Sequence, residues 1–333
     1  MATLIISLLL VIVCSLPRGV LANDGFAALG VGGITLAKTD AIALKNEVLD
    51  ISCDLITVTY DFINESDRDI DAVILFPLPP FPAAPAESYM ISHGQPADFS
   101  ITVNGKTVAY DTEVRAMNKG RDVTEELLAV GITSKQLALF PFDRSLLDSD
   151  HTLVIPQKQI DALTHKGLVV EGCPVWNIHV RYVWRQKFPA KSLVHVEHAY
   201  RPFTAEGTMG GYPGYVKPAD YCLTDDQIRR LDKLKSNEKN LDIFQQVPGT
   251  NLEYILTTAT TWKDGIRNFT LRIHTKAEDE IVGVCFPALL KKVSAMTYEA
   301  QLENFTPTSE LRVFYGNAKQ CHSNGYGSPP TFR

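Results

Sequence analysis

The sequence predicts a mainly β protein: two antiparallel β-sandwich-like regions, with a helical insertion between strands of the first. Three observations carry this expectation. Trp176, Ile178, Val180, Tyr182 and Trp184 alternate with Asn177, His179, Arg181 and Arg185, the period-two pattern of a half-buried strand. Similar runs recur before and after this stretch, around residues 49–62 and 251–315. Helix-start signals cluster within residues 116–168 and recur at Thr224.

The N-terminus reads as an address. Leu4–Leu16 is apolar apart from Ser7 and Ser15, and Val20-Leu21-Ala22 supplies small residues where a signal peptidase cuts. The expectation is a signal peptide at 1–22 and a periplasmic or secreted mature chain. An uncleaved anchor is the alternative, but the run is short for a membrane span. Cys14 hints at a lipoprotein box, yet Val13 is bulkier than that box wants. No later segment is long and apolar enough to span a bilayer, so no transmembrane span is expected after cleavage. The formal net charge of −6 gives no basic footprint for nucleic acid.

In order, Asn23–Ile34 is a Gly- and Ala-rich arm whose glycines lack the spacing of a phosphate loop. Leu49, Ile51, Cys53 and Leu55 alternate, as do Ile56, Val58, Tyr60 and Phe62; a β-bulge at Leu55/Ile56 would reconcile their phases. Asn64–Asp69 is a polar turn and Ala72–Phe76 an interior strand, apolar on both faces. Five prolines between Pro77 and Pro85 impose an extended loop. Asn104-Gly105 between alternating runs marks a hairpin.

Asp122-x-x-Glu125 and Thr133-x-x-Gln136 are capping boxes, and Pro156 opens a third helix to about His165. The insertion therefore covers about 116–168. The strand at Trp176 follows, turns at Lys187–Ser192 and returns with Val194, Val196, His198 and Tyr200 on one face. So short a connection predicts an antiparallel pair. This closes an N-terminal β domain at 23–205. Gly207–Pro218 is a Gly/Tyr loop, and Thr224-x-x-Gln227 caps a helix to about Lys235. Strands at 251–262, 268–274, 281–286, 296–303 and 311–315 make a C-terminal β domain at 206–318, with a mobile tail at 319–333.

Cleavage leaves Cys53, Cys173, Cys222, Cys285 and Cys321, an odd number whose spacing leaves the pairing open. Cys53, on an apolar strand face, reads as an inert buried thiol.

Several motifs stand in a telling order: Asn23-Asp24-Gly25, Tyr60-Asp61-Phe62, Phe76-Pro77-Leu78-Pro79, Asp98-Phe99, Phe188-Pro189-Ala190, Val196-x-His198-x-Tyr200-x-Pro202, Tyr221-Cys222, Cys285 and Phe305-x-Pro307. Together they resemble a family of secreted bacterial proteins catalogued as a domain of unknown function. The resemblance implies a periplasmic, mainly β protein with a Cys222–Cys285 disulfide. It brings no catalytic residue with it.

Chemistry-bearing patterns each have a plainer reading. His195-Val196-Glu197-His198 lacks zincin geometry, since on a strand His195 and Glu197 share one face and His198 takes the other. His198 then reads as a hydrogen-bonded core histidine. Asp67, Asp69 and Asp71 mimic a calcium loop, but its required Gly and Glu are replaced by Ala72 and Leu78. No metal and no cofactor are expected. The sequons at Asn64, Asn268 and Asn304 matter only in a glycosylating source. The best candidate contact surface is the loop carrying Gly211, Tyr212, Gly214 and Tyr215, where glycines admit close approach and the tyrosines offer aromatic faces. The functional expectation is a non-catalytic binding or envelope-associated protein, its partner an unknown ligand or envelope protein. The alternatives are a hydrolase whose site assembles from distant residues, and a structural or assembly partner in the envelope.

Overall fold

The structure is a computed structural model and describes residues 24–30, 33–83, 99–132, 137, 156–202, 204–206, 217–237 and 249–316. The signal segment, the Thr133–Gln136 capping box, Gly207–Val216 and the tail lie outside the described residues. The protein is mainly β, as its alternating patterns require.

The arm forms β1 (Gly25–Gly30) and β2 (Gly33–Leu36), paired antiparallel. The next alternating runs form β3 (Ile42–Ile51) and β4 (Ile56–Asn64). The slip at Leu55/Ile56 is not a bulge. The chain reverses there in a turn, where Ser52 Oγ accepts from the Asp54 and Leu55 N–H groups, and the bulge lies between Leu44 and Asn46. Leu55 is consequently 45% exposed. After β5 (Ile70–Pro77) and β6 (Phe81–Pro82), Asn104-Gly105 joins β7 (Ser100–Val103) to β8 (Lys106–Thr107). Both turn residues have positive φ, 49° and 75°, as a tight two-residue hairpin demands.

Then come β9 (Asp111–Asn118), β10 (Arg121–Asp122), α1 (Thr124–Ala129) and α2 (Gln157–His165). The first residues assigned to the helical insertion thus belong to strands, and Asp122 accepts from the Thr124 N–H as α1 begins. A short pair, β11 (Val169–Val170) and β12 (Cys173–Pro174), leads into β13 (Asn177–Phe188), β14 (Leu193–Tyr200) and β15 (Thr204–Glu206). A 3-10 turn at Pro218–Tyr221 precedes α3 (Asp225–Asn237), whose start carries the predicted Thr224–Gln227 capping contacts. The last strands are β16 (Gly249–Tyr254), β17 (Lys263–His274), β18 (Ile281–Val284), β19 (Lys291–Ser294), β20 (Thr297–Phe305) and β21 (Leu311–Gly316). The strand expected over 251–262 stops at Tyr254, because Thr257–Thr261 coil into a 3-10 turn.

Among the described residues an eight-stranded sheet has the order β19-β20-β17-β3-β4-β14-β7-β8. It draws strands from before residue 205 and from after it, joined by the parallel pair β3–β17. A seven-stranded sheet, β10-β9-β13-β5-β1-β2 with β6 on β13, faces it, and a four-stranded sheet runs β15-β16-β21-β18. All three feed one apolar cluster, with Phe62 and Leu271 from the first, Phe76 and Trp184 from the second, and Tyr254 and Val313 from the third.

The expected β13–β14 hairpin is overturned. β13 pairs with β5 and β9 in one sheet, while β14 pairs with β4 and β7 in the other. Each strand has one apolar face, and crossing between sheets lets those faces meet, so that the Trp184 and His198 rings lie 5.3 Å apart across the core. The Asn64–Asp69 turn makes the same crossing from β4 to β5. The two arches are clamped together: buried Asn64 donates to the Arg68 and Phe188 carbonyls, and Asp69 accepts from the Ala190 N–H.

Candidate functional site

Among the polar groups buried in the sandwich is His198. It lies on the inner face of β14 between Val196 and Tyr200, and the rings of Tyr60, Phe76, Phe99 and Trp184 surround it at 5.2–5.6 Å. Its Nε2 meets Asp24 Oδ1 at 2.9 Å, and both side chains are 0% exposed. The Asp24 carbonyl accepts from the Trp262 indole N–H at 2.6 Å, which fixes the start of β1. Burial raises the Asp24 carboxyl, and His198 opposes that rise. Nearby, the Tyr60 and Tyr254 hydroxyls meet at 3.1 Å. Burial pushes both phenols well up, helped by the buried carboxylates Glu47 and Asp24. A histidine, two carboxylates and two tyrosines would suit acid–base chemistry. All five are buried, however. The arrangement can brace a core.

The outer face of the eight-stranded sheet is different. Side chains that alternate with the core residues form a hydrogen-bonded row across five strands. Asn268 of β17 donates to Asn46 of β3 at 3.0 Å, and Asn46 donates to Asp61 of β4 at 2.8 Å. Asp61 meets His195 Nδ1 of β14 at 2.7 Å, while His195 Nε2 meets Glu197 at 3.2 Å. Thr102 of β7 donates to Glu197 at 3.2 Å. Hydrogen bonding to Asp61 raises the His195 pKa against a smaller effect of burial. For Asp61, burial acts upward, but the bonds from His195 and Asn46 outweigh it and the carboxyl falls below its usual range. A second group on this face joins Asp50 to His274 at 2.8 Å and Arg272 to Glu299 at 2.8 Å.

His195 and Glu197 share the outer face and His198 takes the inner one. Gly211, Tyr212, Gly214 and Tyr215 lie outside the described residues. Cys222 and Cys285 are joined in a disulfide. Cys53 is also disulfide-bonded, which corrects its reading as an inert thiol; it sits in the turn after β3, off the strand face. Asp67 and Asp69 pair with Lys191 and Lys187. The Asn64 amide is buried and fully engaged, which removes its sequon from consideration. Sequence reasoning missed Asp24 and Glu47. A histidine on an apolar face signals that a partner exists, but nothing local identifies one 174 residues away.

Among solved structures the chain is similar to a candidate nutrient-binding protein from Legionella pneumophila subsp. pneumophila str. Philadelphia 1. That likeness has 15% identity and a TM-score of 0.42, covering 84% of this chain and 68% of that one. It is also similar to an M1 zinc metallopeptidase from Deinococcus radiodurans, with 8% identity and a TM-score of 0.28, covering 84% of this chain and 43% of that one. These scores are too low to assign a shared fold. No curated protein matches. A family model matches residues 22–314, and the protein belongs to the family described as Domain of unknown function (DUF4424).

Proposed function

We propose that this is a non-catalytic binding protein of an oxidising extracytoplasmic compartment, and that it presents the outer face of its eight-stranded sheet to a polar ligand. The observation that carries the reading is the row Asn268–Asn46–Asp61–His195–Glu197–Thr102. Each side chain is held by its neighbour before any ligand arrives, so little ordering remains to be done on binding. The apolar leader and the disulfide-bonded Cys53, Cys222 and Cys285 support the compartment. The burial of His198, Asp24 and the tyrosine pair supports a non-catalytic role.

Native mass spectrometry of protein purified from its own source tests the reading. The expected result is an extra mass that denaturation removes, and that Asp61→Asn with His195→Ala also removes. A bare chain, or an adduct that survives in the double variant, would overturn it.

A further inference from the structure

The segment Pro218–Asn237 is held apart from the main core. Tyr221 and Leu231, with Leu223 and Leu234 at the margin, close on Ile281 and Phe314 in a cluster of their own. The segment lies over β18, the last strand of its sheet among the described residues: Gln227 Nε2 donates to the Val282 carbonyl at 2.8 Å, and Arg230 donates at 3.2 Å to the carbonyl of Asp279, just before the strand. Gly283 lets it approach: a Cβ there would stand 2.5 Å from Leu223 Cδ2 and 3.1 Å from Tyr221 Cβ. One covalent bond secures it, Cys222–Cys285, with Cα atoms 5.0 Å apart and both residues exposed. Cys222 has φ 48° and ψ 39°, in the left-handed region that side-chain-bearing residues seldom occupy.

We propose that this disulfide is a redox latch: when it is reduced, the helical segment lifts from β18 while the sandwich stays folded. The separate cluster means that opening takes no buried apolar side chain out of the main core. Exposure of both cysteines gives an external thiol access to the sulfurs. In the reaction, a thiolate of an external dithiol attacks one sulfur, and the other leaves as a thiolate and takes up a proton. The second thiol of the reductant then resolves the mixed disulfide, leaving two cysteine thiols and an oxidised dithiol. Opening bares a strand edge, the surface to which a further strand adds.

Hydrogen exchange followed by mass spectrometry tests the latch. The full oxidised chain is compared with Cys222→Ser/Cys285→Ser, in which the Cys53 disulfide remains. Amides of 224–237 and 281–284 should exchange at least about tenfold faster in the variant, as expected of a locally opening unit, while those of 177–188 keep their rate. Brief dithiol treatment of the folded wild type should reproduce the pattern, and serves as the readout if the variant does not fold. Unchanged exchange at 281–284 would overturn the proposal. So would uniform acceleration that includes 177–188, since that marks a staple for the whole fold.

Discussion

If the His198–Asp24 pair braces the core, breaking it from either side should be expensive and breaking it from both sides should not. Both side chains are fully buried and the imidazole is ringed by four aromatic groups, so a lone survivor is shut off from water. His198→Leu leaves Asp24 in that position, and the expected loss is about 3–5 kcal/mol. Asp24→Ala should lose a similar amount. The double variant removes both polar groups, so its loss should fall short of the sum of the singles by about 2 kcal/mol or more. Asp24→Asn keeps a hydrogen-bonding group and should lose only about 1 kcal/mol. Equilibrium urea unfolding measures all four, with Trp176, Trp184 and Trp262, each buried in the core, as fluorescent reporters. Strict additivity of the single losses, or a His198→Leu loss below about 1 kcal/mol, would refute the bracing role.

Three further outcomes are expected. Burial pushes the His179 imidazole down to about 4, with Arg181 adding to the effect. The unfolded chain therefore binds a proton at a pH where the fold refuses it. Its contribution is full above the ordinary value of 6.5 and is lost as pH falls towards about 4, by up to roughly 3 kcal/mol. His179→Gln should flatten that part of the acid dependence of the urea midpoint; an unaltered profile would remove the residue from the account. Glu310 accepts from the Leu256 and Thr257 N–H groups and the Thr257 hydroxyl, so Glu310→Ala should lose about 2 kcal/mol, read as a melting temperature lowered by several degrees. Asn64→Ala strips both arches of their clamp and should lose about 2–4 kcal/mol; a loss under 1 kcal/mol would show that the arches stand without it.

Much of the fold was legible because its signals are local. The face Trp176–Trp184 is buried as its alternation requires, Asn104-Gly105 makes its turn, and Thr224 with Gln227 starts a helix. The error at Lys187–Ser192 has a physical origin. A hairpin and an arch both need two apolar-faced strands and a short connection. They differ only in whether the two faces point the same way or towards each other. Alternation reports which residues share a face and is silent on which sheet a strand joins. That choice was made elsewhere, by β5 and β9 pairing with β13 and by β4 and β7 pairing with β14. The bulge assigned to Leu55/Ile56 failed for a related reason. A phase slip is equally well produced by a reversal, and Ser52, which supplies the turn's acceptor, looks ordinary in sequence.

The candidate sites show the same division between local and distant information. His195 and Glu197 are two residues apart on one strand, so their shared outer face could be read directly, while Asp61, Asn46 and Asn268 join them only through strand order. His198 announced a need for a partner without naming Asp24, the first residue the structure describes. This asymmetry argues for the division of roles proposed above. The inner pair is assembled from distant parts of the chain and closed in on every side, so its energy is spent on holding β1, β14 and Trp262 together. The outer row is equally pre-positioned yet open to water, and a ligand could displace that water without disturbing the core. On the proposed reading, recognition belongs on the outer face, where changing a side chain would alter what is bound while the brace beneath it keeps the sheet in place.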